Sequence, residues 1–243
     1  MKQDVQYEKY RNSIEFEVFG PYALFSEVAT RVGGEKFSYQ IPTYQALKGI
    51  TESVYWKPTF IWYVDAVRVV NRIQTESKGI RPIKYTQGGN DLSYYTYLKD
   101  VRYQVLAHFE WNKQREDLAA DRDENKHHNI AKRSVNLGGR RDVFLGTREC
   151  QGYVEPCEFG SGGGFYDDYG EMDMGYTFHS FIYPDENDQH DFIAQFWRPV
   201  MHNGVIEFPQ PGSRELDSNL IRENRHIRQF VPGNNVNLGE EES

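Results

Sequence analysis

The residues best suited to acid–base chemistry are three consecutive side chains, Lys126, His127 and His128. They open a basic stretch in a chain of 243 residues whose formal net charge is -8. A local excess of positive charge in an acidic chain predicts a site for polyanions. A solvated helix face that happens to be basic is the alternative. The cations of this stretch are Lys126, Lys132, Arg133, Arg140, Arg141 and Arg148, and its one acid is Asp142.

A lysine beside a histidine, joined by a tyrosine, supplies the groups that RNA transesterification needs. In that reaction the 2′-hydroxyl attacks the neighbouring phosphate, giving a 2′,3′-cyclic phosphate and a 5′-hydroxyl. Histidine suits the proton transfers because its ordinary pKa is about 6.5, and lysine stabilises the charge of the transition state. Tyr55 could join Lys126 and His127 if the ends of two predicted helices meet. Taken alone, core packing for Tyr55 and an exposed helix start for the other two are the blander interpretations.

Composition argues against several classes of protein. Two cysteines, Cys150 and Cys157, are too few for a disulfide framework, and their spacing fits neither a zinc ribbon nor a redox pair. We therefore expect a reduced, cytoplasmic setting. No apolar run is long enough to span a bilayer, so we expect no membrane partner. The chemistry described above requires no cofactor and no metal.

The pattern of apolar residues predicts the elements that must position these groups. Alternation of apolar and polar residues indicates half-buried strands, and an apolar stripe at helical spacing indicates a helix. The β-branched and aromatic run over 59–70 indicates a strand buried on both faces. The predicted order is strand, helix, strand, strand, helix, strand, which is typical of an α+β fold of the ferredoxin-like, RRM-like (βαββαβ) type. The predicted elements are a strand from residue 14, a helix over 42–57, strands over 59–70 and 94–111, a helix over 125–137 and a strand over 143–154.

A glycine-rich loop, FGSGGGF, occupies residues 159–165 and lacks the ending of a nucleotide-binding P-loop. It is either the tip of a flexible hairpin or bare backbone that nucleic acid approaches closely, with Gly162 and Gly163 in contact. Short strands over residues 176–208 predict a small antiparallel β-sheet after it. The predicted domains are residues 13–158 for the ferredoxin-like part, 159–230 for the loop and second sheet, and 231–243 for a disordered tail.

Four acidic residues follow the loop and could hold a hard divalent cation. They are Asp167, Asp168, Glu171 and Asp173. A solvated turn is the favoured interpretation, because tyrosines and glycines interrupt the cluster. A metal-dependent nuclease that uses these carboxylates stays open as an alternative function.

Five stretches of the chain carry a resemblance to a known family. They are YQALKGITESVYWKPTF (residues 44–60), ESKGIRPI (76–83), YTYLKDVRYQV (95–105), GGRRDVFLGTRECQGYVEPCEFGSGGGFYD (138–167) and Tyr183-Pro184-Asp185. These stretches resemble the subtype I-C form of the fifth family of CRISPR-associated (Cas) proteins, which belongs to the RAMP superfamily. The resemblance runs from about residue 13 to residue 208, which is most of the chain.

The resemblance implies a ferredoxin-like RAMP domain followed by a small β-sheet domain. It implies a metal-independent endoribonuclease that cuts precursor CRISPR RNA within each repeat, for antiviral defence. The protein would stay bound to the 5′ handle of the product, beside the backbone and large subunits of a type I-C surveillance complex. Tyr55 matches the tyrosine of the family's Tyr-Trp-Lys-Pro motif, and Lys126 and His127 match its Lys-His pair. These three residues would be catalytic. His128 directly follows His127, so the choice of His127 rests on its position in the motif.

Two further hypotheses stay open beside this one. Other members of the family are non-catalytic scaffold subunits, so the chain could bind the handle without cutting it. Weak DNA binding through the basic patch is a second option and would depend strongly on salt. The residues expected to contact RNA are Lys132, Arg133, Arg140, Arg141, Arg148, Gly162 and Gly163.

Overall fold

The computed structural model describes residues 10–27, 30, 34–83 and 88–223. The predicted tail at 231–243 lies outside these residues. The helices are α1 (Tyr44–Val54) and α2 (Glu124–Asn136), with a short 3-10 helix over Glu116–Asp121. The strands are β1 (Ile14–Ala23), β2 (Lys36–Phe37), β3 (Phe60–Val69), β4 (Thr75–Ile80), β5 (Ser93–Trp111), β6 (Val143–Phe144), β7 (Gln151–Pro156), β8 (Glu171–Asp173), β9 (Thr177–Ile182), β10 (Phe192–Trp197), β11 (Val200–His202), β12 (Val205–Glu207) and β13 (Asp217–Arg222).

A large antiparallel sheet dominates the molecule, and few helices accompany it, which confirms the predicted α+β class. The strand order is β6-β7-β1-β5-β3-β12-β11-β8. The long strand β5 is its spine, because β1 and β3 pair antiparallel with its second half and β4 pairs antiparallel with its first half. Short β2 runs parallel to β5. Strands β13, β10 and β9 form a second, three-stranded sheet.

One face of the large sheet forms the core, because buried and more exposed residues alternate along its strands, as they do in β1. Phe16 and Val18 of β1 and Trp62 of β3 are fully buried on this face. The helices cover it with apolar residues, among them Leu47 of α1 and Ala131 of α2. Within the described residues, no helix is long and apolar enough to cross a membrane.

Side-chain caps fix where both helices begin. The hydroxyl of Thr43 accepts a hydrogen bond from the backbone N–H of Ala46 at 3.2 Å. The carboxylate of Asp123 accepts one from the N–H of Lys126 at 3.0 Å. Such caps satisfy backbone donors that a helix start leaves unpaired. The starts therefore lie within two residues of the predicted ones, which puts Lys126 and His127 in the first turn of α2.

Two predicted segments differ from the structure. The connection predicted over residues 71–93 contains β4, whose exposed pattern carries no apolar alternation and which forms by pairing with β5. The strand predicted over residues 143–154 is divided into β6 and β7 by a turn at Gly146. Gly146 has φ +94°, and a Cβ there would lie 2.1 Å from the carbonyl oxygen of Leu24, so only glycine fits.

The C-terminal strands divide between the two sheets. Strand β12 pairs with β3 through Ile206 and Val67, and β11 and β8 follow it in the large sheet. Strands β9, β10 and β13 make the smaller sheet. The domain boundary at residue 158 stays a prediction.

Candidate active site

The loop after α2 docks on the end of α1 and brings the two helix ends together. The backbone N–H of Arg140 donates to the carbonyl oxygen of Val54 at 3.2 Å, and that of Arg141 donates to Ser53 at 3.1 Å. Tyr55, directly after α1, then lies against the first turn of α2. Its hydroxyl oxygen is 2.7 Å from Nδ1 of His127. The condition that the sequence left open, contact between the helix ends, is met.

The second ring nitrogen of His127 fixes the direction of that hydrogen bond. Nε2 of His127 lies 2.7 Å from the backbone carbonyl oxygen of Asp121. A carbonyl oxygen can only accept, so Nε2 carries the hydrogen. In the neutral imidazole Nδ1 is then an acceptor, and the hydroxyl of Tyr55 donates to it. His127 therefore turns a lone pair towards Tyr55.

Asp121 links the cation of the site to its surroundings. Its carboxylate accepts hydrogen bonds from Nζ of Lys126 at 2.5 Å and from the hydroxyl of Thr59 at 2.9 Å. The hydrogen bond from the Lys126 ammonium is the main reason that the pKa of Asp121 is lowered, and the same bond raises the pKa of Lys126. The raised pKa keeps Lys126 protonated and makes it a poor proton donor.

Tyr55 and His127 are enclosed, whereas Lys126 reaches the surface. Relative exposure is 1% for Tyr55 and 0% for His127. The ring of Phe60 lies 5.3 Å from that of His127, and Trp111 lies 5.9 Å away. Burial raises the pKa of Tyr55, while the Arg140 guanidinium, 4.7 Å above the tyrosine ring, opposes that shift. A free tyrosinate is therefore disfavoured at neutral pH.

His128 is directed elsewhere. Its Nε2 donates to the backbone carbonyl oxygen of Ser13 at 2.9 Å, which fastens α2 to the start of β1. Burial lowers the pKa of His128. Of the two adjacent imidazoles, His127 is the one that contacts Tyr55.

The remaining cations of the basic stretch are exposed, and they are spread over three elements. Lys132 and Arg133 lie on α2, and Arg148 lies in the turn between β6 and β7. Arg140 and Arg141 lie in the loop that docks on α1. Arg140 is the member of this group that stacks on Tyr55.

The glycine-rich loop is held from beneath by a buried arginine of β3. The guanidinium of Arg68 donates to the carbonyl oxygens of Ser161 at 2.8 Å and Gly162 at 2.9 Å. It also binds Asp167 at 2.7 Å and Gln104 at 3.0 Å. The loop does not join a pair of neighbouring strands, because β7 pairs with β1 and β8 pairs with β11. The hairpin interpretation of the loop is therefore wrong.

These contacts direct the other side of the loop backbone outwards. In a trans peptide the N–H points opposite to the C=O, and the described residues contain no cis peptide bond. Since the carbonyls of Ser161 and Gly162 face Arg68, the N–H groups of Gly162 and Gly163 face away from it. A Cβ built on either glycine meets nothing within 4 Å. Adjacent outward amides on bare backbone suit an anion such as phosphate.

The acidic cluster after the loop is divided among separate partners. Asp167 pairs with Arg68, Asp173 pairs with Arg198 at 2.8 Å, and Glu171 lies 3.3 Å from His202. Asp168 is exposed. Among the residues that the structure describes, no group of three or more His, Cys, Asp or Glu side chains is arranged to hold a metal ion.

Comparison with known proteins identifies the family. Residues 13–209 match the family described as CRISPR-associated protein (Cas_Cas5). The chain belongs to this family. The resemblance seen in the sequence is thereby confirmed.

Relatives of this Cas5-family chain include two proteins called CRISPR pre-crRNA endoribonuclease Cas5d. The one from Mannheimia succiniciproducens is 25% identical over 237 residues, with 82% of this chain and 95% of the relative covered. The one from Thermus thermophilus is 28% identical over 153 residues, with 59% and 63% covered. A crystal structure of a CRISPR-associated protein is 40% identical, with a TM-score of 0.71 and coverage of 87% of this chain and 98% of that one.

Two residues that organise the sites of this Cas5-family protein were missed in the sequence. Asp121 lies in a charged run just before α2, and nothing in its spacing distinguishes it from its neighbours. Arg68 did carry a signal, because it is a charged residue inside a strand predicted to be buried on both faces. Its burial predicts that it needs several partners, but the sequence does not name them.

Proposed function

We propose that this protein is an endoribonuclease that cuts precursor CRISPR RNA within the repeat without a metal ion. The hydrogen bond between Tyr55 and His127, with Lys126 beside it, carries the proposal. The two relatives called pre-crRNA endoribonucleases support it, since one of them is covered over 95% of its length. After cleavage the protein stays on the 5′ handle as a subunit of a type I-C surveillance complex in the cytoplasm.

The fold of the proposed domain is ferredoxin-like, over residues 13–158. The order β7-β1-β5-β3, with every neighbouring pair antiparallel, supports this assignment. The helices α1 and α2 follow the first and third of these strands along the chain, as the split βαβ pattern requires. Residues 159–230 would then be the loop and second-sheet domain.

The tyrosine and histidine act as one proton-accepting unit in this proposal. The 2′-hydroxyl gives its proton to the oxygen of Tyr55 while Tyr55 gives its own to Nδ1 of His127. The transfer is concerted because burial raises the pKa of Tyr55 and disfavours a free tyrosinate. Lys126 stabilises the negative charge that develops on the phosphorane oxygens. The P–O5′ bond breaks, the leaving 5′-oxygen takes a proton from water, and the proton on His127 returns to solvent.

Access to the pair requires movement of the 3-10 helix over Glu116–Asp121. Asp121 pairs with the ammonium of Lys126, which a phosphate would also contact. None of the six residues of this helix is buried, so few apolar contacts oppose its displacement. An incoming phosphate therefore competes with the Asp121 carboxylate for Lys126.

RNA contacts in this proposal extend from the site along the exposed cations. Arg140 and Arg141 lie nearest to the Tyr55–His127 pair, in the loop that docks on α1. The outward amides of Gly162 and Gly163 bind a different phosphate at the glycine-rich loop. Lys132, Arg133 and Arg148 add charge. The backbone and large subunits of the complex are the protein partners, and DNA binds weakly through the same charges.

The test is cleavage of a labelled repeat RNA in excess EDTA, beside a substrate with a 2′-deoxy sugar just 5′ of the cut. We expect cleavage in EDTA, loss of cleavage with the deoxy substrate and a cyclic phosphate on the product. Cleavage that stops in EDTA and leaves 5′-phosphate ends would instead point to metal chemistry at Asp167, Asp168, Glu171 and Asp173.

A second candidate is a handle-binding subunit that does not cut. The complete burial of His127 favours it, because an enclosed imidazole needs a rearrangement before it can act. Tight binding of the repeat RNA without any product, with or without a divalent ion, would establish this function and remove the enzymatic one.

A further inference from the structure

A row of stackable side chains crosses the face of the large sheet that is turned away from the helices. Tyr153 of β7 lies opposite Phe19 of β1, and Phe19 lies opposite Arg102 of β5. The ring centroids of Phe19 and Tyr153 are 5.9 Å apart, and the Arg102 guanidinium lies 4.6 Å from the Phe19 centroid. Their strand neighbours Val18 and Val154 are buried towards the helices, so alternation places this row on the other face.

The row is open to solvent. Tyr153 is 53% exposed, although burial of a tyrosine ring normally stabilises a protein. Phe19 is half-buried between its two neighbours, and Arg102 is held in place by an ion pair with Glu17. A surface of two mutually tilted aromatic rings and an ion-paired guanidinium is thus presented to the outside.

The row lies directly beside the glycine-rich loop. Glu17 and Gln104, two residues along the strands from Phe19 and Arg102, face each other in the register. Gln104 accepts a hydrogen bond from the N–H of Gly160 and donates to the carbonyl of Ser161. The loop therefore sits over the next position of the same face.

A second arginine–aromatic pair is connected to β5 through backbone hydrogen bonds. The carbonyl oxygen of Arg102 accepts from the N–H of Val70, and the carbonyl of Val70 accepts from the N–H of Phe165. Phe165 is 56% exposed, and the guanidinium of Arg72 lies 5.7 Å from its ring. The last residue of the loop thus presents a further exposed ring.

Unpaired nucleobases are the ligands that fit this surface. Proteins hold unpaired RNA bases on aromatic rings and guanidinium planes, and phosphates on nearby backbone amides. Neighbouring strands are about 4.8 Å apart, so the row from β7 to β5 spans roughly 10 Å, enough for about two successive bases. Glu17 offsets the charge of Arg102, so attraction here comes from stacking more than from phosphate charge.

We propose that Tyr153, Phe19 and Arg102 form a stacking platform for unpaired bases of the bound RNA, next to phosphate-binding amides at Gly162 and Gly163. This rests on the proposed function for the identity of the ligand. The platform lies on the opposite face of the sheet from Tyr55 and His127, so the bases that it holds are separate from the scissile nucleotide. Its loss weakens binding and leaves the cutting step intact.

The test compares Tyr153→Ala, Tyr153→Phe and a matched control, Tyr94→Ala, whose ring is 51% exposed on the far part of β5. Binding of repeat RNA with a 2′-deoxy sugar at the cut is followed by fluorescence anisotropy across salt concentrations. For Tyr153→Ala we expect the Kd to rise about 5- to 100-fold, the range that one lost stacking contact gives. Tyr153→Phe and Tyr94→Ala bind like the wild type, and the dependence on salt is unchanged.

A second arm locates the base and separates this proposal from the enzymatic one. An RNA with an abasic nucleotide at the stacked position loses affinity for the wild type but no further affinity for Tyr153→Ala. The single-turnover cleavage rate at saturating protein stays the same for all variants. Wild-type protein that binds RNA in a Tyr153-dependent way without cutting it removes the enzyme and keeps the platform.

Equal RNA affinity of Tyr153→Ala and the wild type would overturn the platform. Unchanged RNA affinity with weaker association of a neighbouring protein subunit would do the same, and would assign the face to protein docking. A wild type that binds no RNA at all would remove both the platform and the proposed function.

Discussion

The corner formed by Tyr55, Lys126 and His127 and the glycine-rich loop are each organised by a charged residue from a different element. At the corner the carboxylate of Asp121 binds Lys126, while its backbone carbonyl binds His127. At the loop the guanidinium of Arg68 binds the carbonyls of Ser161 and Gly162. At the corner, an acidic residue accepts hydrogen bonds from the donors of Lys126 and His127. At the loop, a basic residue donates hydrogen bonds to backbone carbonyls.

The two arrangements leave opposite surfaces. Asp121 pairs with the Lys126 ammonium that would meet a phosphate, so the charge of Lys126 is offset, while Tyr55 and His127 are enclosed. Arg68 occupies the carbonyls, so the loop turns its amides outwards. In the proposed function, the loop therefore offers RNA a surface that is already formed, whereas Lys126 has to exchange the Asp121 carboxylate for a phosphate. Binding before cutting is the sequence of events that this difference predicts.

Removing the imidazole of the corner has the largest expected effect. His127→Ala deletes the proton acceptor, so we expect single-turnover cleavage to fall by about 10²-fold or more, with little change in RNA affinity. His128→Ala is the matched control, since His128 binds Ser13 instead of Tyr55. Normal cutting by His127→Ala together with loss of cutting by His128→Ala would reverse the assignment; thermal unfolding checks that both variants are folded.

Removing the arginine beneath the loop comes next. Arg68→Met leaves two carbonyls and Asp167 without their buried partner, so we expect the free energy of unfolding to fall by about 3 kcal/mol. RNA affinity falls with it, because the amides of Gly162 and Gly163 lose their orientation. Arg198→Met removes an exposed ion pair with Asp173 and changes stability by less than about 1 kcal/mol. Equal effects of the two variants in chemical denaturation would contradict the role of Arg68.

The cation above the tyrosine ring connects binding to proton transfer. Arg140→Ala removes a positive charge that lowers the pKa of Tyr55, so that pKa rises. We expect RNA binding to weaken a few-fold, the salt dependence to drop by about one phosphate contact, and the alkaline limb of the pH–rate profile to move to higher pH. Arg141→Ala weakens binding without that movement; identical pH–rate profiles for wild type and Arg140→Ala would show that Arg140 only binds.

Removing the charge of Asp121 has the smallest expected effect. Whether RNA affinity rises or falls shows whether Asp121 competes with phosphate for Lys126 or supports Lys126 in binding it. Asp121→Asn removes the charge that competes with phosphate for Lys126, so RNA affinity should rise by roughly twofold to fivefold, as for one exposed charge pair. The gain should shrink at high salt because exposed charges are screened. Anisotropy titrations at two salt concentrations measure it, and weaker binding by the variant would mean that Asp121 supports Lys126 instead of blocking it.

The sequence contains enough local information to predict the α+β class and most of the elements. Alternation identified β1 and β5, β-branched and aromatic content identified β3, an apolar stripe identified α1, and Gly138 and Gly139 marked the end of α2, because these signals act over a few neighbouring residues. It also placed Lys126 and His127 in the first turn of a helix and Tyr55 at the end of another. What it did not contain was β4, whose residues show no apolar pattern and become a strand only by pairing with β5.

The tertiary structure decided which residues from distant parts of the chain come into contact. The sequence pattern predicts that His179 faces solvent or an edge, but it is fully buried, where its ring stacks on Tyr44 and burial lowers its pKa to about 3. His108 was expected at the surface or an edge but is buried beside Asp65. Both lie on strands whose second face is covered by segments far away in sequence. Alternation states which residues share a face, but not what covers it.

By itself the sequence determined which groups were present: the tyrosine, the lysine and histidine, the basic stretch and the glycine-rich loop. The tertiary structure decided which of them meet. Tyr55 reaches His127 because the loop after α2 docks on α1, and Asp121 and Arg68 act through contacts that span 5 and 99 residues of chain. A hydrogen bond depends on distance and direction in space, and residue order fixes neither until the sheet and helices have packed.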